Sequence, residues 1–179
     1  MGLLAITISY LSCTPAPSDA KRGGQFFDLP AFFEAEQQRM QSLQKVKKTV
    51  DYNGSVEERM IDMDSLDLEQ EFKAFVESDI NRASWLDKYA VDSVFNEAGQ
   101  LLRLNYRSTD PKLKTKSVDL SFSNQQVDEI RIQNETGSYF SSSSQSLVYD
   151  VNEGYQIDSR QELILSSDRV LKVQVAFVD

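Results

Sequence analysis

The sequence predicts an α+β fold, an antiparallel β-meander with two helices packed on one face. Three observations carry this. From Tyr89 onward apolar residues recur at every second position in run after run. Two earlier stretches repeat them at helical spacing instead. Between those stretches an Asn53-Gly54 pair separates two short alternating runs, the mark of a hairpin.

The first helix opens at Asp28-Leu29-Pro30. Asp28 suits a cap and Pro30 suits the first turn, where a missing N–H costs nothing. Leu29, Phe32, Phe33, Met40 and Leu43 then define one face to about Lys45. The runs Thr49–Tyr52 and Val56–Met60 flank the turn. A three-residue loop over Asn53–Ser55 places Tyr52 opposite Val56 and aligns the apolar faces, so that register is expected. A second helix is expected over 65–77, with Leu68, Phe72, Phe75 and Val76 on its buried stripe. Ile80, Trp85 and Leu86 are read as a short continuation of it, helical or not.

The ranges 89–95, 101–108, 114–122, 127–134, 138–150, 155–165 and 170–178 are read as five or six strands, one of them broken. Leu102, Leu104 and Tyr106 alternate with Arg103, Asn105 and Arg107, and Val118, Leu120 and Phe122 with Asp119 and Ser121. Such alternation means one buried and one wet face, with the helices covering the buried one.

One conflict stands out in this pattern. If Leu147 and Tyr149 point inward, so do Ser141, Ser143 and Gln145; if Ile157 and Leu163 do, so do Ser159 and Gln161. A loop over Asn152–Gly154 sets Gln145 opposite Gln161. Unpaired carboxamides in a core cost several kcal/mol. These groups must bond each other, bond water or line an opening. Gln145, Gln161, Ser143 and Ser159 are therefore the candidate ligand-binding residues, with a paired Gln couple at the sheet margin, or a β-bulge that flips the phase, as the plainer explanation.

Composition narrows the function classes. Among 179 residues, 28 acids against 19 bases give a net charge of −9, which argues against nucleic acid as a partner. The chain has no His, removing the commonest general base and metal ligand. Its single Cys cannot form an internal disulfide.

That cysteine closes an unusual amino terminus. Leu3–Leu11 reads LLAITISYL, too short to span a bilayer but fitting the apolar region of a signal peptide. A core helix of that length ranks lower, because Thr14-Pro15-Ala16-Pro17 follows at once. Leu11-Ser12-Cys13 resembles a lipobox, in which the Cys thiol takes a diacylglyceryl group and the chain is cut before it. Tyr10 departs from the usual aliphatic residue, and no base precedes the apolar run. The expected organisation is a signal peptide over 1–12, a flexible tether over 13–25 after lipidated Cys13, and one domain over 26–179. Thr14 and Ala16 offer no Asp-type retention signal, which points to the outer membrane of the cell envelope.

The chain also resembles a group of uncharacterised lipoproteins of Bacteroidota. Phe27-Asp28-Leu29, Lys48-Thr49-Val50, Ser78-Asp79-Ile80-Asn81 with Trp85, Tyr149, and Gly154-Tyr155-Gln156-Ile157 carry the resemblance. It implies a signal peptide, a lipid anchor and a sheet-plus-helix domain, and no activity.

Other chemistry finds little support. Asp62, Asp64, Asp67 and Glu69 lack the Gly and final Glu of a calcium loop and suit the start of a helix. Ser141–Ser144 have no His and no Gly-x-Ser-x-Gly elbow beside them. Neither a catalytic residue nor a cofactor is expected. The reading is a membrane-anchored envelope lipoprotein with a non-enzymatic binding or structural role. Its alternative is a carrier of a lipid or other amphiphile in a cleft between sheet and helices. Partners are then the membrane, an envelope protein or an amphiphilic ligand.

Overall fold

The computed structural model describes residues 25–164 and 166–178. The expected signal peptide over 1–12, Cys13 and all but the last residue of the expected tether lie outside the described residues. Two helices, α1 (Leu29–Met40) and α2 (Leu68–Val76), accompany nine strands: β1 (Lys45–Tyr52), β2 (Ser55–Asp62), β3 (Tyr89–Phe95), β4 (Leu101–Ser108), β5 (Thr115–Ser123), β6 (Gln126–Gly137), β7 (Ser141–Asp150), β8 (Gly154–Leu163) and β9 (Arg169–Val178). All seven ranges form strands and none is broken, so the meander has seven strands where five or six were expected. The fold is α+β, as expected.

The sheet order is β2-β1-β9-β8-β7-β6-β5-β4-β3, every pair antiparallel. Strands β3–β9 are thus a seven-strand meander in chain order. The earlier β1–β2 hairpin adds to its last edge through β1 and β9. Alternation explains the layering. Val118, Leu120, Ile130, Ile132, Leu147, Tyr149, Tyr155 and Val175 are buried together with Leu29, Phe33 and Met40 of α1 and Leu68, Phe72 and Phe75 of α2.

An aspartate side chain caps the start of each helix. Asp28 accepts from Ala31 N at 3.0 Å, and Asp67 accepts from Gln70 N at 3.0 Å. One boundary of each helix differs from the expectation. α1 stops at Met40 rather than near Lys45, because Val46, Thr49 and Val50 belong to β1, which pairs edge to edge with β9. α2 starts at Leu68, after a 3-10 turn over Met63–Ser65.

The β1–β2 register differs too. Tyr52 pairs with Ser55, not Val56. Asn53 and Gly54 have φ of 52° and 88°, the two left-handed residues of a two-residue hairpin turn, for which Asn-Gly is the preferred pair. The expected register rested on burying one face of β2. But β2 is an edge strand whose Val56 and Met60 are both exposed. With no buried face to satisfy, turn chemistry sets the pairing.

Candidate functional site

The inner face of β7 and β8 is where the sequence places its polar conflict, and the first determinant there is the turn between them. Asp150 Oδ1 accepts from Asn152 N at 2.8 Å and Glu153 N at 2.9 Å. The loop is therefore Val151–Glu153, one residue earlier than expected, and Asp150 pairs with Gly154. Gly154 has φ of +131°, and a Cβ there would lie 2.0 Å from the Val175 carbonyl oxygen of β9. Only glycine fits where β9 passes this close.

A shift of one in the loop moves every pair by two. The inward faces survive, but the partners change. Gln145 stands opposite Ser159, and Ser143 opposite Gln161, so the predicted Gln145–Gln161 couple does not form. Instead Gln145 Nε2 donates to Ser159 Oγ at 3.1 Å, and Asn134 Nδ2 of β6 donates to Gln145 Oε1 at 3.3 Å. Asn134 Nδ2 also donates to Ser78 Oγ at 2.8 Å, and Ser78 Oγ donates to the Ala74 carbonyl at 2.7 Å. Thr115, opposite Asn134 on β5, donates to the Ser78 carbonyl at 3.2 Å. The inward polar row is thus a ladder across four strands, tied to the end of α2.

Of the four candidate residues, the structure brings Gln145 and Ser159 into this ladder. Ser143 and Gln161 sit one rung further out, half-buried at the margin. Sequence reasoning missed Asn134, Thr115 and Ser78. Asn134 is only 3% exposed. Its signal was legible: Asn134 falls in phase with the inward Ile130 and Ile132.

Below this ladder lies a second polar arrangement, also missed. Tyr149 and Tyr155 are register partners and both are buried. The Tyr149 hydroxyl donates to Glu36 Oε2 of α1. Arg39 Nε donates to the same carboxylate oxygen at 2.8 Å, while Arg39 Nη2 donates to the Tyr149 hydroxyl at 3.2 Å and the Val151 carbonyl at 2.8 Å. The Tyr155 hydroxyl donates to Glu71 Oε2 of α2, whose other oxygen pairs with Lys48 Nζ of β1. Burial first, and the neighbouring carboxylates second, hold both phenols well above their ordinary titration range.

Comparison with protein-family models, curated proteins and solved structures gives no match.

The tyrosine rings close the space around these bonds. Tyr149 meets Phe32, Phe33, Phe72 and Phe75 with ring centroids 5.2–6.2 Å apart, and Tyr155 meets Phe72 and Phe75 at 5.6 and 6.2 Å. These spacings are ordinary aromatic packing. Two surface depressions lie elsewhere. One, of about 580 Å³, runs over α1 and α2 past Glu34, Asp67, Glu69 and Lys73. The other, of about 650 Å³, lies by Lys112, Lys116, Ser142–Ser144, Arg160 and Glu162. Both are open, with mixed polar and apolar linings. Among the described residues no helix is long and apolar enough to cross a membrane.

Proposed function

We propose that this chain is a lipid-anchored envelope protein, tethered through Cys13, whose domain has a non-enzymatic binding or structural role. The observation that carries the second half of this reading is the filled space between helices and sheet. Phe33, Phe72, Phe75, Tyr149 and Tyr155 pack there against one another, and both tyrosine hydroxyls are already bonded to Glu36 and Glu71. A carrier of an amphiphile needs a continuous apolar cavity in that place. An enzyme needs groups free to meet a substrate, and these are committed to each other.

A domain with this interior meets partners on its outside. Among the described residues its two edge strands, β2 and β3, have unpaired backbone groups on one side each. The anchor supports the same role, since several acyl chains on one terminus give durable attachment.

Native mass spectrometry of the protein purified from membranes tests the non-carrier role. The expected spectrum shows the acylated chain with no further lipid. A second, non-covalent lipid at one-to-one stoichiometry, released by unfolding, contradicts it.

A further inference from the structure

We infer that one end of the sheet, the end bearing the β6–β7 and β8–β9 turns, seats on the lipid bilayer through Tyr139, Phe140 and Ile164. The inference rests on the Cys13 anchor proposed above and adds the surface that faces the membrane.

The three side chains are the most exposed large apolar groups of the described residues, at 84%, 67% and 64%. They belong to one patch. Ile164 N donates to the Phe140 carbonyl at 3.2 Å, tying the two turns together, and the Tyr139 and Phe140 rings meet edge to face at 5.1 Å. The turn beneath them is built. Ser138 N donates to the Ser141 carbonyl at 2.7 Å, and Ser138 Oγ accepts from Phe140 N at 3.3 Å and Ser141 N at 3.2 Å. Folding needs no aromatic residue at such a tip, where Gly, Asn or Ser suffice. The turns at the opposite end follow that rule, with Asn124-Gln125, Asn152-Glu153 and Asn96–Gln100.

The anchor chain enters the domain near the same end. Phe26 N donates to Asn81 Oδ1 at 2.9 Å, and the Phe26 ring packs on Tyr89 and Tyr106. The Tyr89 hydroxyl donates to the Thr115 carbonyl at 2.7 Å, and Thr115 pairs with Asn134. The aromatic turn begins four residues beyond Asn134 on the same strand. The 12 residues from Thr14 to Gln25 reach about 40 Å at full extension and about 20 Å as a random coil. A tether of that length from an acylated Cys13 lets this end reach the headgroups. The occupant is a bilayer by chemistry as well: Tyr favours the membrane–water interface, and exposed Phe and aliphatic side chains insert at its acyl boundary. With a net charge of −9, attraction to anionic lipid does not supply the contact, and apolar insertion does.

The test couples the full chain, through its single cysteine, to maleimide-bearing lipid in vesicles of phosphatidylethanolamine and phosphatidylglycerol. Phe140→Trp and Asn152→Trp are compared, each with Trp85 as common background. The expected result is a blue shift and at least about twofold stronger quenching by brominated lipid at position 140 than at 152, as an interfacial ring requires. Equal quenching at both positions overturns the inference. So does a blue shift at 140 without quenching, which places the tip against protein. The coupling is chemical, so this outcome is independent of native acylation, and failure of the anchor is read separately from the mass of the native protein.

Discussion

Tyr149 and Tyr155 stand opposite each other across β7 and β8, and their hydroxyls donate to carboxylates on different helices, Glu36 on α1 and Glu71 on α2. One strand pair thereby fixes both helices. Each carboxylate also holds a cation, Arg39 or Lys48, which offsets the cost of burying charge.

Tyr149→Phe keeps the ring packing and removes the bond to Glu36. Loss of a hydrogen bond to a buried charged group costs about 1.5–3 kcal/mol. A double-mutant cycle with Glu36→Gln, read by urea unfolding, should show coupling of at least about 1 kcal/mol. Additive effects would mean that the hydroxyl contributes no specific tie.

Alkaline pH should loosen the domain. Burial pushes Tyr89 up to about 12 and raises Tyr106, Tyr149 and Tyr155 as well. The folded state thus favours the protonated phenol, so the stability these groups contribute is complete below the ordinary value near 10. For Tyr89 it is lost as pH rises from 10 towards 12. Phenolate absorbance from these four residues should appear together with loss of far-ultraviolet ellipticity. Their ionisation while the fold persists would contradict this.

Gly154→Ala places a Cβ against the Val175 carbonyl at a φ of +131°. Backbone strain and the clash together should cost about 3 kcal/mol or more. A melting temperature within a degree of the parent would show that β9 moves away easily.

The polar ladder distinguishes two glutamines that look alike in sequence. Gln145→Leu strips partners from Asn134 and Ser159 and should cost about 1–3 kcal/mol. Gln161→Leu, at the margin, should stay within about 0.5 kcal/mol. Denaturant midpoints of the two variants decide it; equal costs would place Gln161 in the ladder.

Alternation of apolar and polar residues made the meander and its inner face legible, down to the inward set of Gln145, Ser159 and Leu147. Partners were not legible, because an inner-face pattern has period two and is unchanged when the register moves by two. What set the register was local: Asp150 accepting two amides, and Gly154 beneath β9. At β1–β2 the pattern misled, since Val56 and Met60 look like core residues but occupy an edge strand. Glu36 and Glu71 were invisible as core members, because a carboxylate on a helix is ordinarily solvated and only the facing tyrosines reveal otherwise.

The anchor is the claim on which the cellular role turns, and intact mass of the protein from its native host tests it most directly. The account predicts a chain beginning at Cys13 with acyl groups attached, and loss of membrane association in Cys13→Ser. An unmodified chain retaining residues 1–12 would contradict it.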